Sequence, residues 1–197
     1  MKTSKELRSQ AWEQLRKSYW MVLVVTLIVT ALPAGTSIGI IGFIIAGPLL
    51  VGQSIYLIDM IEVNPEGKKL ELLLEGFKKS FVNSLLAWIL TSIFTFLWSL
   101  LFIIPGIIKA LAYSMTPYII AENPDMDAMK AIDKSQEMMK GHKTELLMLY
   151  LSFIGWFILT LFTFGIGMFF LIPYINTTVA NFYLELRGKK TIIAEIE

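Results

Sequence analysis

Long uncharged blocks alternate with short charged segments along this chain. The blocks cover residues 18–58, 80–121 and 146–184, and Lys109 is the one charged residue inside them. A helix of about 40 residues is about 60 Å long, which is twice the thickness of the hydrocarbon core of a bilayer. Each block therefore predicts two membrane-spanning helices joined by a tight turn, at residues 33–37 in the first block, 100–101 in the second and 165–167 in the third. The predicted fold is an all-α polytopic membrane protein with six transmembrane helices arranged as three hairpins.

The charged segments predict the orientation of the hairpins. Residues 1–17, 59–79, 122–145 and 185–197 hold 16 of the 17 basic residues and all 16 acidic ones, whereas the turns between paired spans hold none. In a six-span protein all four charged segments lie on one face, and the positive-inside rule makes that face cytoplasmic. We therefore expect a multi-pass protein with both termini in the cytoplasm.

Each hairpin is preceded by a charged segment whose pattern predicts an amphipathic helix on the cytoplasmic surface. In the first of these helices, over residues 2–17, we expect Trp12 to lie at headgroup depth on an anionic membrane surface. In the third, Asn123-Pro124-Asp125 predicts the helix start and Gly141 its end. The apolar faces of the three helices consist of Leu7, Ala11, Trp12 and Leu15; of Leu70, Leu73, Leu74 and Phe77; and of Ala128, Met129, Ile132, Gln136 and Met139.

The three units resemble one another, which predicts a single integral membrane domain with pseudo-repeats over residues 1–63, 64–122 and 123–187. A Lys-Ser-aromatic sequence opens each of the first two hairpins, at residues 17–19 and 79–81. A chance resemblance between apolar hairpins is the alternative. In the second span of each unit a proline is followed eight residues later by a tyrosine or an asparagine, in the pairs Pro48 and Tyr56, Pro105 and Tyr113, and Pro173 and Asn181.

Composition supports a membrane protein and excludes several kinds of site. Hydrophobic residues make up 55% of the chain, charged residues 17%, and the mean hydropathy is +0.64. The net charge of +1 offers no electrostatic case for binding nucleic acid. Without cysteine, and with His142 as the single histidine, the chain has neither thiolate nor multi-histidine metal ligands. No catalytic motif is present, so we expect neither an enzyme nor a cofactor.

Polar residues inside the apolar blocks are the candidates for contact with a ligand or lipid. Lys109 is expected near the outer end of its span, where its ammonium either extends to the outer headgroups or binds an anion or substrate. Tyr113 lies one turn further along the same face. Such side chains also bond across helices without binding a ligand. The remaining candidates are Gln53, Asn176 and Asn181.

Several motifs resemble a known family. They include Ile-Pro-Gly-Ile-Ile-Lys at residues 104–109, Tyr-Ser-Met-Thr-Pro-Tyr at 113–118 and Met-Met-Lys-Gly-His-Lys at 138–143. Together with Phe-Ile-Gly-Trp at 153–156 and Pro-Tyr at 173–174, they resemble the DUF975 family, an uncharacterised bacterial family of multi-spanning proteins. The resemblance implies a protein of the bacterial cytoplasmic membrane. It implies no activity, substrate or catalytic residue.

Two functions fit this pattern. The first is a small transporter, or a protein that handles lipids or other amphiphiles, with membrane lipids as its partners. The second is a non-transporting subunit for immunity, sensing or scaffolding that binds a protein partner through its cytoplasmic helices. A water-filled cavity would favour the first function, whereas a dry bundle with an apolar groove on the surface helices would favour the second.

Overall fold

The computed structural model describes residues 2–35, 39–66, 69–163 and 165–196, and all regular structure in these ranges is helical. The first predicted turn falls partly on residues 36–38, which lie outside them. Turns predicted near residues 100–101 and 165–167 are found, because helices end at Leu101 and Phe162. The helices are α1 (Ser4–Gly35), α2 (Gly39–Glu62), α3 (Leu72–Lys79), α4 (Phe81–Leu101), α5 (Ile103–Tyr113), α6 (Thr116–Glu122), α7 (Ala128–Met138), α8 (Lys143–Leu151), α9 (Ile154–Phe162) and α10 (Ile166–Ile196).

Five helical stretches in the described residues are long and apolar enough to cross a membrane, which makes the chain compatible with a membrane protein. The predicted sixth span, in α10, is not among them. Asn176 and Asn181 in the middle of α10 lower its hydropathy. The five stretches are Ser4–Pro33, Ile41–Glu62, Phe81–Leu100, Ile103–Glu122 and Lys143–Thr160.

The helices form two compact units, and the first contains the start of α1 together with α8, α9 and α10. This unit 1 comprises Met1–Leu27, Leu57–Lys68 and Thr144–Glu197. A capping box begins α1, in which Thr3 N donates to Glu6 Oε2 (2.7 Å) and Glu6 N donates to Thr3 Oγ1 (3.3 Å).

The apolar face predicted to lie on the membrane surface is instead buried within unit 1. Leu7, Ala11 and Leu15 are at most 2% exposed, because they pack against protein. Trp12 keeps 49% of its surface exposed and meets the ring of Tyr174 edge-on, with 5.7 Å between the ring centroids. The expectation of a lipid-bound N-terminal helix is therefore wrong for three of its four apolar residues.

Unit 2 comprises Ile28–Tyr56 and Lys69–Lys143, and its helices approach one another at glycines. A Cβ added at Gly76 would lie 2.1 Å from the carbonyl oxygen of Pro48, and one at Gly52 would lie 2.2 Å from that of Leu73. The backbones of α2 and α3 are thus in direct contact. Helices α4 and α5 are joined by the single extended residue Phe102.

The third predicted surface helix begins later than expected and packs against other helices. Asp127 is its N-cap, accepting a hydrogen bond from Met129 N at 2.9 Å, whereas Asn123 follows the last residue of α6. Helix α7 packs against α4, α5 and α6. Its end near Gly141 is confirmed by the positive φ of 80° at that residue.

Two serines adopt the same backbone conformation at equivalent positions of the first two predicted repeats. Ser18 has φ −133° and ψ 27°, and Ser80 has φ −139° and ψ 28°. Both side chains are buried, at 5% and 3% exposed. At each serine the amphipathic segment bends into the apolar helix that follows it.

Candidate functional site

A groove of about 590 Å³ runs between α1, α9 and α10 in unit 1, and we call it the amphiphilic groove. Helix α1 contributes one wall over the stretch from Lys5 to Tyr19, which is about 20 Å long at 1.5 Å per residue. The described residues that line it are Lys5, Arg8, Ser9, Trp12, Tyr19, Trp156, Leu159, Thr160, Thr163, Gly167, Phe170, Leu171 and Tyr174.

Both cations of the amphiphilic groove lie at its end nearest the N-terminus of α1. The Arg8 guanidinium stacks on the ring of Phe153, 5.4 Å from its centroid, and Nη1 donates to the carbonyl oxygen of Ser152 at 2.5 Å. The hydroxyl of Tyr174 donates to the backbone carbonyl oxygen of Arg8 at 3.1 Å. These contacts fix the position of Arg8 in the wall of the groove. No acidic side chain is among the described lining residues.

Aromatic and aliphatic side chains form the rest of the amphiphilic groove. Tyr19 stacks on Phe170 with 6.0 Å between ring centroids and 12° between the ring planes. Trp156, Leu159 and Phe170 line the groove and are each at least 50% exposed. Part of the apolar lining is therefore accessible from outside the protein. A groove of this kind offers positive charge to a headgroup and apolar surface to a hydrocarbon chain.

Two polar atoms in this region are buried without a hydrogen-bond partner in the described protein. They are Nε of Arg8 and the hydroxyl oxygen of Tyr19, at the two ends of the α1 wall. A buried donor without a partner costs about 1–3 kcal/mol, and a charged one more. A ligand with an acceptor oxygen at the Arg8 end would remove part of that cost.

None of the residues that line the amphiphilic groove is among the candidate contacts that the sequence indicated. Lys5, Arg8, Trp12 and Tyr19 recur at helical spacing on one face of α1, which is the signal that could have indicated a shared surface. The opposing wall comes from α9 and α10, about 150 residues later in the chain. Only the tertiary structure pairs these walls.

Lys109 lies in unit 2, where its ammonium contacts other protein groups. Nζ is 5.1 Å from the centroid of the Trp98 ring and 5.8 Å from that of Tyr113, and it donates to Oε1 of Gln136 at 3.2 Å. Nε2 of Gln136 in turn donates to Oδ1 of Asp133 at 3.3 Å. We call these residues the lysine cluster. In the structure the ammonium is directed towards α7. The two roles expected for it, extension to the outer headgroups and contact with an anion, stay predictions.

The other candidate contacts are distributed between the two units. In unit 2, Tyr113 joins the lysine cluster, whereas Gln53 is buried in α2 at 6% exposed. In unit 1, Asn181 donates through Nδ2 to Oε1 of Gln14 at 2.6 Å, and Asn176 is half-buried on the same helix. The structure thus brings Lys109 and Tyr113 together. A ligand role for any of these residues stays a prediction.

Comparison with known proteins gives one match. The model of a family described as a protein of unknown function (DUF975) matches residues 101–190. No curated protein and no solved structure matches the chain. The family match confirms, over residues 101–190, the resemblance that the sequence motifs indicated.

Proposed function

We propose that this chain is an integral protein of the bacterial cytoplasmic membrane that binds an anionic amphiphile in the amphiphilic groove. The observation that carries the proposal is the arrangement of charge along the groove. Lys5 and Arg8 lie at one end, and aromatic and aliphatic side chains line the rest. An anionic lipid has the same distribution of charge and apolar surface along its length.

The charge of the ligand follows from the charge of the groove. Two cations without an acidic partner among the described lining residues favour a phosphate or carboxylate, to which Arg and Lys make charge-assisted hydrogen bonds. A zwitterionic headgroup would bring its own cation close to Lys5 and Arg8. We therefore expect phosphatidylglycerol to bind in preference to phosphatidylcholine.

The exposed apolar side of the groove supports a ligand that enters from the bilayer. Trp156, Leu159 and Phe170 lie on helices whose apolar surface faces outwards. An acyl chain can contact these residues without leaving the hydrocarbon layer, so binding does not require transfer of the chain through water. This supports lipid handling, and no step in it requires catalysis or a cofactor.

Lipid retention measured by native mass spectrometry tests the proposal. Wild-type protein in nanodiscs with equal amounts of phosphatidylglycerol and phosphatidylcholine, matched in acyl chains, is expected to retain the anionic lipid preferentially. Lys5→Gln combined with Arg8→Gln should reduce that preference about tenfold, which corresponds to about 1.4 kcal/mol.

Arg16→Gln is the matched control, because Arg16 is an exposed cation of the same helix and is not among the groove-lining residues. If the loss of Arg8 impairs folding, Lys5→Gln alone tests whether a cation of the groove contributes to the lipid preference. An unchanged preference in the double variant, or an equal loss in Arg16→Gln, would contradict the proposal. Competition with glycerol phosphate distinguishes two kinds of site. Displacement of the lipid by glycerol phosphate indicates a site for the headgroup alone, and retention of the lipid indicates a site for the whole molecule.

We further propose the six-span arrangement, with three hairpins, amphipathic segments before them and both termini in the cytoplasm. Its support is the segregation of charge in the sequence and the five apolar helical stretches. The chain has no native cysteine, so single-cysteine variants report topology directly. A cysteine at Phe102 should be labelled from outside intact cells, and cysteines at Asp133 and Lys189 only after permeabilisation. External labelling at Asp133 is incompatible with this arrangement.

A further inference from the structure

Unit 2 contains a second cavity, of about 450 Å³, between α2, α4 and the junction of α5 and α6. Its volume is within the range of small-molecule sites. We call it the hydroxyl cavity because Ser and Thr side chains recur along the α4 wall and at the junction. These hydroxyl-bearing residues are Ser84, Thr91, Ser92, Thr95, Ser99, Ser114 and Thr116.

Thr116 is the strongest indication that the hydroxyl cavity holds a ligand. The residue is 2% exposed and lines the cavity, yet its Oγ1 has no hydrogen-bond partner in the described protein. The indole Nε1 of Trp88, which also lines the cavity, is likewise buried without a partner. Two unpaired polar atoms in one cavity are unfavourable unless something in the cavity bonds to them.

The helical segment that borders the hydroxyl cavity is interrupted beside the cavity, at the junction of α5 and α6. Ser114 and Met115 separate the two helices, and Pro117 has no N–H to donate to the carbonyl oxygen of Tyr113 four residues earlier. Within a membrane, interrupted helices occur where the backbone is buried in protein or lines a polar cavity. Tyr113, Ser114 and Pro117 all line the hydroxyl cavity.

Most hydroxyls of the cavity already donate their proton to the backbone. The hydroxyl of Thr91 donates to the carbonyl oxygen of Ala87 at 2.7 Å, and that of Ser114 to the carbonyl oxygen of Leu111 at 2.8 Å. Ser84 and Ser99 make equivalent bonds within α4. These oxygens can therefore only accept further hydrogen bonds, whereas the Trp88 indole can only donate.

We propose that the hydroxyl cavity binds a small, uncharged, polyhydroxylated molecule. No charged side chain is among the described residues that line the cavity, and an ion buried there without a counter-charge would be strongly unfavourable. A ligand hydroxyl both donates and accepts, so it can bond to the serine and threonine oxygens and to the Trp88 indole. Trp88, Phe96 and Tyr113 offer ring surface to the carbon skeleton. This inference is independent of the proposed lipid site in unit 1.

Mannitol binding to the full-length protein in nanodiscs tests the inference, with saturation-transfer NMR as the readout. Wild-type protein should bind mannitol saturably and should bind mannitol monophosphate at least about tenfold more weakly. Thr116→Val preserves the shape of the side chain and removes its hydroxyl, so mannitol binding should fall about tenfold. Trp88→Phe removes the indole donor and should weaken binding in the same direction.

The melting temperature of the protein without mannitol provides a second readout, and Thr116→Val is expected to increase it although the same variant weakens mannitol binding. Thr116→Val should raise the melting temperature, because it removes a buried hydroxyl that has no partner. Thr178→Val is the matched control, since its buried hydroxyl donates to the carbonyl oxygen of Tyr174 at 2.7 Å in unit 1. This control should lower the melting temperature and leave mannitol binding unchanged.

Three outcomes would overturn the inference. Absence of saturable mannitol binding by the wild type would mean that the cavity holds water only. Equal binding of mannitol and its monophosphate would contradict the neutral character of the site. Unchanged mannitol binding in both Thr116→Val and Trp88→Phe would place the bound molecule elsewhere.

Discussion

Arg8 in unit 1 and Lys109 in unit 2 both stack on aromatic rings, yet their polar atoms differ in how fully they are engaged. Lys109 directs its ammonium at two rings and at the amide oxygen of Gln136, which is linked to Asp133. Arg8 bonds to one backbone carbonyl, stacks on Phe153 and keeps Nε without a partner beside a groove. A cation whose polar atoms are bonded within its own protein stabilises the fold, whereas one that keeps an unbonded atom beside a groove can bond to a ligand.

The cavities of the two units show the same contrast. The amphiphilic groove combines cations with apolar surface, and the hydroxyl cavity has hydroxyls and no charge among its described lining residues. Charge therefore predicts different ligand classes for the two units. If these linings decide what each unit binds, the two units should respond to different substitutions.

The largest loss of stability is expected from Gly76→Ala in unit 2. The added Cβ would lie 2.1 Å from the carbonyl oxygen of Pro48, so α2 and α3 must separate, at a cost of about 3 kcal/mol in the free energy of unfolding. Mannitol binding should fall with it, because α2 lines the hydroxyl cavity. The preference of unit 1 for phosphatidylglycerol should persist in the protein that remains folded, as native mass spectrometry can show.

Gly155→Ala is the control for Gly76→Ala. A Cβ at Gly155 in α9 meets nothing within 4 Å, and alanine favours a helix over glycine by up to about 1 kcal/mol. Its melting temperature should be equal to that of the wild type or higher. Equal stability of the two alanine variants would show that α2 and α3 are not in backbone contact.

A smaller loss of stability is expected from Lys109→Met. Loss of the cation–π contacts and of the bond to Gln136 should cost about 1–2 kcal/mol of stability. Lys109→Arg should cost less, because a guanidinium also stacks on aromatic rings. Both variants should retain phosphatidylglycerol as the wild type does, in contrast to Lys5→Gln with Arg8→Gln.

Loss of lipid retention in Lys109→Met at matched thermal stability would reverse the comparison between the two cations. It would place a lipid headgroup at the lysine cluster and support the sequence-based expectation of an anion contact there. Trp98→Leu separates the two possibilities further. It removes one ring from the cluster and leaves the charge of Lys109 in place, so only the structural role predicts a loss of stability.

Much of the local structure could be predicted from the sequence. The apolar blocks correspond to the long helices, and the breaks near residue 101 and at Gly165 occur where the pattern placed turns. The positive φ of Gly141 matches its predicted place at a helix end. These features depend on hydropathy and on backbone preferences within a few residues, which a sequence carries directly.

Packing partners could not be predicted in the same way. An apolar face such as Leu7, Ala11 and Leu15 has the same pattern whether it meets lipid or protein, because both environments exclude water equally. For the same reason, the sequence could not show that α7 packs against α4, α5 and α6. The direction of the Lys109 side chain followed from that packing, since Gln136 is 27 residues away in the chain.

The sequence by itself determined the class of this protein: it has apolar blocks long enough to cross a membrane, charge confined to the segments between these blocks apart from Lys109, and motifs that resemble DUF975. The tertiary structure alone decided which residues form sites. It brought Arg8 together with α9 and α10 in the amphiphilic groove. It also placed Oγ1 of Thr116, which has no hydrogen-bond partner in the described protein, in the same cavity as the hydroxyls of α4. The physical reason is that hydropathy is a property of each segment, whereas an unpaired donor or a lined cavity exists only once distant segments have packed.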